Sequence, residues 1–511
     1  MTIKRMILGL LTLVVIILVS TALVSSWTKP QIQSQLQLYQ TNILLQAAEW
    51  QVPEGEKLGS TRNALIGEQP VKTALTQYQE VRQSAQKNLE RLSAPLTPLS
   101  PESELDPKLG SAPVRRSPQQ QLQSLINQLD LRLGILHASS GQAAVALQTW
   151  QGLIAQPESS ELTQTAAVLS GLWSDPPRLL PDAEQQLSSS LKGWFRYQAL
   201  TQLYQLQQRQ DALVQLQAAE QEMARSALSR LVIVGGMPVL GSLIGIGLLI
   251  VWLVRQVTSQ KPSPLSPSMV RANWPVPWER ETIWQVVVLW FIAFFGISLL
   301  VVPLAVQLLG LNPATFSPRA QTLVALFSYV GLVVAGLSIL YFCLRPFLPQ
   351  PLSWLRINWK GNWFWWGLAG YLAALPLVIV VSLVNQRLLE EQGGANPLLE
   401  VILQSRDGVT IAVLFGMVAV LAPFFEETLF RGFLLPSLTR YLPPWGAIAT
   451  SGLLFAIAHL NLSDVLPLTV LGMILGFVYL RSRNLLASML LHSLWNSGSF
   501  LGLLILGGGL N

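Results

Sequence analysis

Eight apolar runs follow one another from residue 231 onward, at 231–254, 284–309, 322–344, 363–386, 409–437, 446–462, 465–480 and 485–508, and a ninth runs from Met6 to Val24. Most reach the ~20 residues that a helix needs to cross the hydrocarbon core, and in lipid only helices and closed barrels satisfy every backbone polar group. A chain with this pattern is expected to fold as an all-α, polytopic membrane helix bundle of about nine spans. Only 12% of its residues are charged, against roughly 25% in soluble domains. The net charge of +6 arises where connections beside spans collect Lys and Arg, so it implies no nucleic acid partner. Cys343 is the one cysteine. An intramolecular disulfide, a Cys-based zinc site and a CxxC redox motif are therefore excluded, and a metal would have to use His and carboxylates.

Lys4 and Arg5 precede the N-terminal run, which is longer than the 7–15 residue core of a cleaved signal peptide. Residues 1–27 read as an uncleaved anchor, with cleavage left open by the small residues from Ser20 to Ser26. Connections holding Arg255, Lys261, Arg271 and Arg280, then Arg345, Arg356 and Lys360, then Arg440, then Arg481 and Arg483 alternate with loops holding Arg319, then Arg387, Glu390, Glu391, Glu400, Arg406 and Asp407, then Asp464. The first set is expected on the cytoplasmic side. Trp354, Trp359, Trp363, Trp365 and Trp366 form an interfacial belt where the fifth span begins. Residues 28–229 and the C-terminus then lie outside the cytoplasm, an arrangement suited to a bacterial plasma or thylakoid membrane.

Residues 28–229 are polar, rich in Gln and Leu, and repeat Leu at three- and four-residue steps, the period of amphipathic helices. They are expected to form an extracytoplasmic helical domain with a Pro- and Ser-rich linker at 92–118. The stretch "LRLGILHASSGQAAVALQTWQGLIAQP" resembles a tetratricopeptide unit through Leu133, Gly134, Gly141, Ala146, Trp150 and Pro157, and a generic helix hairpin fits it equally well. His137 reads as an ordinary helix residue, and the domain offers a surface for a protein partner. Residues 230–359 are expected to be accessory spans and 360–511 a functional core.

Inside that core, "FFEETLFRGFLL" at 424–435 places Glu426, Glu427 and Arg431 in an apolar span. A charge at bilayer depth costs about 2.5–3.5 kcal/mol on insertion scales, so it marks a function by default. "FAIAHL" brings Phe455 and His459, and "LLHSLWNSG" brings His492 and Asn496; two of the three histidines in the chain thus sit in spans. At 1.5 Å per residue Glu426 lies ~16 Å, His459 ~20 Å, His492 ~10 Å and Asn496 ~17 Å from the cytoplasmic ends of their runs. One slab of membrane can hold all four. Residues four apart share a helix face, so Glu427 and Arg431 neutralise each other and Glu426 faces another neighbour. His492 and Asn496 likewise project together, and Phe455 packs beside His459.

A carboxylate and a histidine beside a water, with Asn and His aimed at a developing oxyanion, are the parts of an amide hydrolase. Glu426, His459 and His492 are also a ligand set for Zn2+ or another divalent metal with an open water position, so the residues leave both mechanisms open. A lone intramembrane His or Asn more often bridges helices by hydrogen bonding, and proton-coupled transporters build relays from Glu, His and Arg. A non-catalytic scaffold or assembly factor is a further alternative. The pattern HExxH is absent.

The order EExxxR (Glu426, Glu427, Arg431), FxxxH (Phe455, His459) and HxxxN (His492, Asn496) resembles the CPBP family, the CAAX-protease and bacteriocin-processing enzymes, also called Abi or type II CAAX prenyl endopeptidases. The resemblance covers residues 360–509. It implies an intramembrane endopeptidase of metallo or glutamate type, acting on a membrane protein or lipidated peptide within the bilayer. It further implies that Glu426 and His459 activate the attacking water and that His492 and Asn496 stabilise the oxyanion.

Overall fold

Some of the prolines in the long apolar helices of this chain follow a loosened turn, while Pro238, Pro376 and Pro467 lie within unbroken α-helix. A proline inside a helix cannot donate to the carbonyl four residues back, and its ring crowds that carbonyl. Three times the helix answers by widening into a π-turn just before the proline: Ile297–Val301 before Pro303, Met417–Leu421 before Pro423, and Thr428–Leu434 before Pro436. At each, an N–H bonds five residues back, Val302 to Ile297, Ala422 to Met417 and Leu435 to Phe430. Two of these turns flank the glutamate pair.

The structure is a computed structural model that describes residues 2–27, 32–51, 66–93, 118–156, 161–258, 276–347, 355–389, 401–402, 405 and 407–507. Most of the expected linker, at 94–117, lies outside them, as do Pro157, Lys261, Arg271, Trp354, Glu390, Glu391, Glu400 and Arg406. Among the described residues there is no strand. The helices are α1 (Ile3–Trp27), α2 (Ile32–Ala48), α3 (Pro70–Ser93), α4 (Pro118–Ser139), α5 (Ala143–Ile154), α6 (Glu161–Leu172), α7 (Ala183–Ser190), α8 (Gly193–Leu206), α9 (Gln210–Thr258), α10 (Arg280–Leu308), α11 (Pro318–Leu344), α12 (Trp363–Leu389), α13 (Gly408–Thr439), α14 (Pro444–Ile457), α15 (Leu462–Ser482) and α16 (Leu485–Gly507). The chain divides into two compact units, Met1–Gln31 with Met237–Leu504, and Ile32–Gly236 with Ile505–Asn511.

Among the described residues eight helices, α1, α9 to α13, α15 and α16, are long and apolar enough to cross a membrane. The ninth expected span, 446–462, is corrected: α14 has 14 residues, about 21 Å of helix, short of a ~30 Å hydrocarbon core. It ends at Ile457 because Leu460 takes a positive φ of 53°, a conformation that breaks the helical path.

In the first unit, the helix ends gather in the two sets that the charges define. Lys4 and Arg5 pair with Glu281 at the start of α10, and Arg440 donates to the carbonyls of Val276 and Trp278. Arg319 pairs with Asp407, which also caps α13 through the N–H of Thr410. Between these ends Trp278, Trp290, Phe425, Phe430, Phe433, Phe455, Leu471 and Leu475 form a continuous apolar core. Helices α14 and α15 meet glycine on glycine: a Cβ on Gly472 of α15 would come 2.7 Å from Cα of Gly452 on α14.

The second unit is helical, with Leu129, Trp150, Trp194 and Leu203 in its core. The residues read as tetratricopeptide-like converge. Gly134 leaves room for the Trp150 ring, Trp150 donates to the Leu131 carbonyl at 3.2 Å, Ala146 is buried, and Gly141 makes the turn with φ of 79°. His137 closes that turn by donating from Nδ1 to Gln142 at 2.7 Å.

Candidate active site

The site is built on α13 between its two π-turns. Glu427 is fully buried, and its Oε1 accepts from two partners, Nη1 of Arg431 at 2.8 Å and Nδ1 of His492 at 2.9 Å. The i, i+4 pair thus forms as the spacing requires, and one carboxylate serves both an arginine and a histidine. Arg431 is equally buried, gives Nη2 to the Gly472 carbonyl at 3.0 Å, and lies over the Phe455 ring at 4.4 Å. A guanidinium so enclosed is tolerable only because a carboxylate, a carbonyl and an aromatic face surround it.

Glu426 points elsewhere, as a neighbour 100° away on the helix must. Its side chain is 17% exposed, and Oε1 accepts from the hydroxyl of Tyr329 on α11 at 3.0 Å. Oε2 is buried without a hydrogen-bond partner and lies 3.9 Å from Nε2 of His492, a gap that one bridging water spans. The bond from Nδ1–H to Glu427 fixes the ring of His492 with Nε2 toward Glu426.

Phe455 joins the two histidines. Its ring centroid is 4.9 Å from that of His459 and 5.6 Å from that of His492. His459 is corrected in position: it sits in the exposed turn after α14 rather than within a span. Its Nδ1–H donates to the Phe455 carbonyl at 2.8 Å, which leaves Nε2 as a free acceptor.

Asn496 shares the face of His492, but its amide donates to the Val418 carbonyl at 2.8 Å, while Ser493 donates to the Ala419 carbonyl. Both carbonyls belong to the first π-turn of α13. Ser451 does the same for the second, donating to Phe430 at 3.2 Å. Side chains from α14 and α16 therefore satisfy carbonyls in the widened turns.

Among the described residues no three His, Cys, Asp or Glu side chains converge as a metal site. In both histidines Nδ1 is engaged and Nε2 is left open, and Nε2 of His492 lies 3.9 Å from Oε2 of Glu426.

The fold and this cluster define a polytopic helical membrane protein with a carboxylate, arginine and histidine centre buried in its core. Residues 408–498 match the family model described as type II CAAX prenyl endopeptidase Rce1-like, a segment that contains every motif residue from Glu426 to Asn496. No match was found among curated proteins or solved structures.

Proposed function

We propose that this protein is an intramembrane endopeptidase that hydrolyses peptide bonds of membrane-associated proteins with water activated by Glu426. The observation that carries this reading is the division of labour between adjacent glutamates. Glu427 is fully buried and gives one oxygen to both Arg431 and His492, whereas Glu426 is partly exposed and turns its unpartnered Oε2 toward Nε2 of that histidine.

Glu426 Oε2 accepts a proton from water as its oxygen attacks the scissile carbonyl. His492, held by Glu427 through Nδ1 and protonated, donates from Nε2 to the oxygen on which negative charge develops. The remaining N–H of Asn496 supports that charge. As the C–N bond breaks, the proton on Glu426 passes to the leaving amine. His459, whose Nε2 is an acceptor, assists in withdrawing the water's proton.

The test uses purified protein in nanodiscs and a mixed library of membrane peptides, with products read by mass spectrometry. Cleavage that survives chelator and is lost in His459→Ala supports the proposal. Cleavage lost with chelator and restored by Zn2+ would replace it with a metallo mechanism, and no cleavage would remove the enzyme reading.

A further inference from the structure

Glu426 is held by a residue outside the matched segment. Tyr329 lies on α11, which ends before residue 408 where that segment begins. Its hydroxyl donates to Oε1 of Glu426 at 3.0 Å. Two further contacts along α11 show that this approach is fixed by the helix as a whole. Near the start of α11, Arg319 pairs with Asp407, which caps α13. Seven residues beyond Tyr329, on the same helix face, Gly336 opens a notch that a Cβ could not share with Phe425, whose ring would lie 2.5 Å from it. Phe425 precedes Glu426 in the chain. The helix is therefore clamped against α13 on both sides of the tyrosine.

A carboxylate has two oxygens, and which of them meets the water depends on its rotation. With Oε1 bound to Tyr329, Oε2 is the oxygen left toward His492. We infer that Tyr329 is a positioning residue of this site: it locks the rotation of the Glu426 carboxylate so that Oε2 alone faces the water, which makes α11 an integral wall of the catalytic unit. This rests on the endopeptidase reading given above.

Tyr329→Phe keeps the ring and removes only the donor. With a peptide that the wild type cleaves, the expected result is a fall in kcat of about 10- to 100-fold, the weight of one hydrogen bond to a charged group, with KM unchanged. An unchanged kcat, or a rise in KM alone, overturns the inference. Glu426→Gln in the same assay separates the two levels: if the wild type cleaves, Glu426→Gln does not and Tyr329→Phe is fully active, the inference fails and the function stands. Wild type that cleaves nothing overturns the function and this role together.

A second measurement needs no turnover. Thermal midpoints of Tyr329→Phe, Glu426→Leu and the double variant should be non-additive, because each single change breaks the same hydrogen bond. Additive midpoints would show that the two side chains do not interact and would overturn the inference.

Discussion

At the residue scale the two adjacent glutamates behave differently because one helical step sends them to different neighbours. Glu427 balances a guanidinium that is 0% exposed, so Glu427→Ala leaves that charge buried and alone. The expected loss is about 3–5 kcal/mol of stability, read as a large fall in thermal midpoint in detergent; a midpoint within a degree of wild type would show that Arg431 does not depend on Glu427. The i, i+4 pairing of Glu427 with Arg431 was legible in the sequence, as was the separate orientation of Glu426. What Glu426 would meet was not. A single tyrosine in an apolar span has no periodic signature, and a separation of 97 positions between Tyr329 and Glu426 gives no sequence reason to join them. The place of His459 was hidden for a related reason, since the helix before it ends through the positive φ of Leu460 and hydropathy does not register backbone conformation.

At the scale of elements, existence and type of nearly every long helix could be read from apolar runs, because a span must satisfy its own backbone. The π-turns had a visible but subtler signal in Pro303, Pro423 and Pro436, each inside an apolar run. Their consequence for the site came only with packing, as Ser451, Ser493 and Asn496 bond to carbonyls of the widened turns. Asn496 thus has a structural task beside any part in catalysis. Helix α15 meets α14 through Gly472 and Gly452, and the same Gly472 supplies the carbonyl that Arg431 binds. Gly472→Val should therefore reduce stability and activity together, whereas the equivalent change at Gly502 of α16, where a Cβ meets nothing within 4 Å, should leave both near wild type. Equal effects at the two glycines, measured by thermal midpoint and cleavage rate, would argue against the close α14–α15 contact as their cause.

At the scale of the whole molecule, the two units make separate predictions. Helix α1 is part of the first unit: Val15 is buried, Thr12 accepts from Trp284, and Ser26 accepts from the N–H of Leu462. Intact mass of the membrane-extracted protein should accordingly include residues 1–27, and a mature N-terminus beyond Ser26 would contradict that role. In the second unit Glu220 lies on α9 before the apolar stretch at 231–254, is fully buried, and has its carboxyl pushed up to about 7 by burial and then by Glu49, against the weaker pull of Gln46 and Arg196. A carboxyl raised in the folded state keeps its proton longer there than in the unfolded chain, so its contribution is complete below pH ~4.5 and is lost as pH rises to about 7. The change is on the order of 3 kcal/mol. Protection factors against hydrogen exchange in α2 and α8, which remove the intrinsic rise of exchange with pH, should fall across that window in wild type and not in Glu220→Gln; the same fall in both would show that another group is responsible. The account as a whole depends on Glu426 as the water-activating carboxylate. Its most direct test is the cleavage rate of Glu426→Gln against wild type on one membrane peptide, with the thermal midpoint of both recorded. Loss of at least about 1,000-fold in rate at an unchanged midpoint is the predicted result, and a folded Glu426→Gln protein that still cleaves would contradict it.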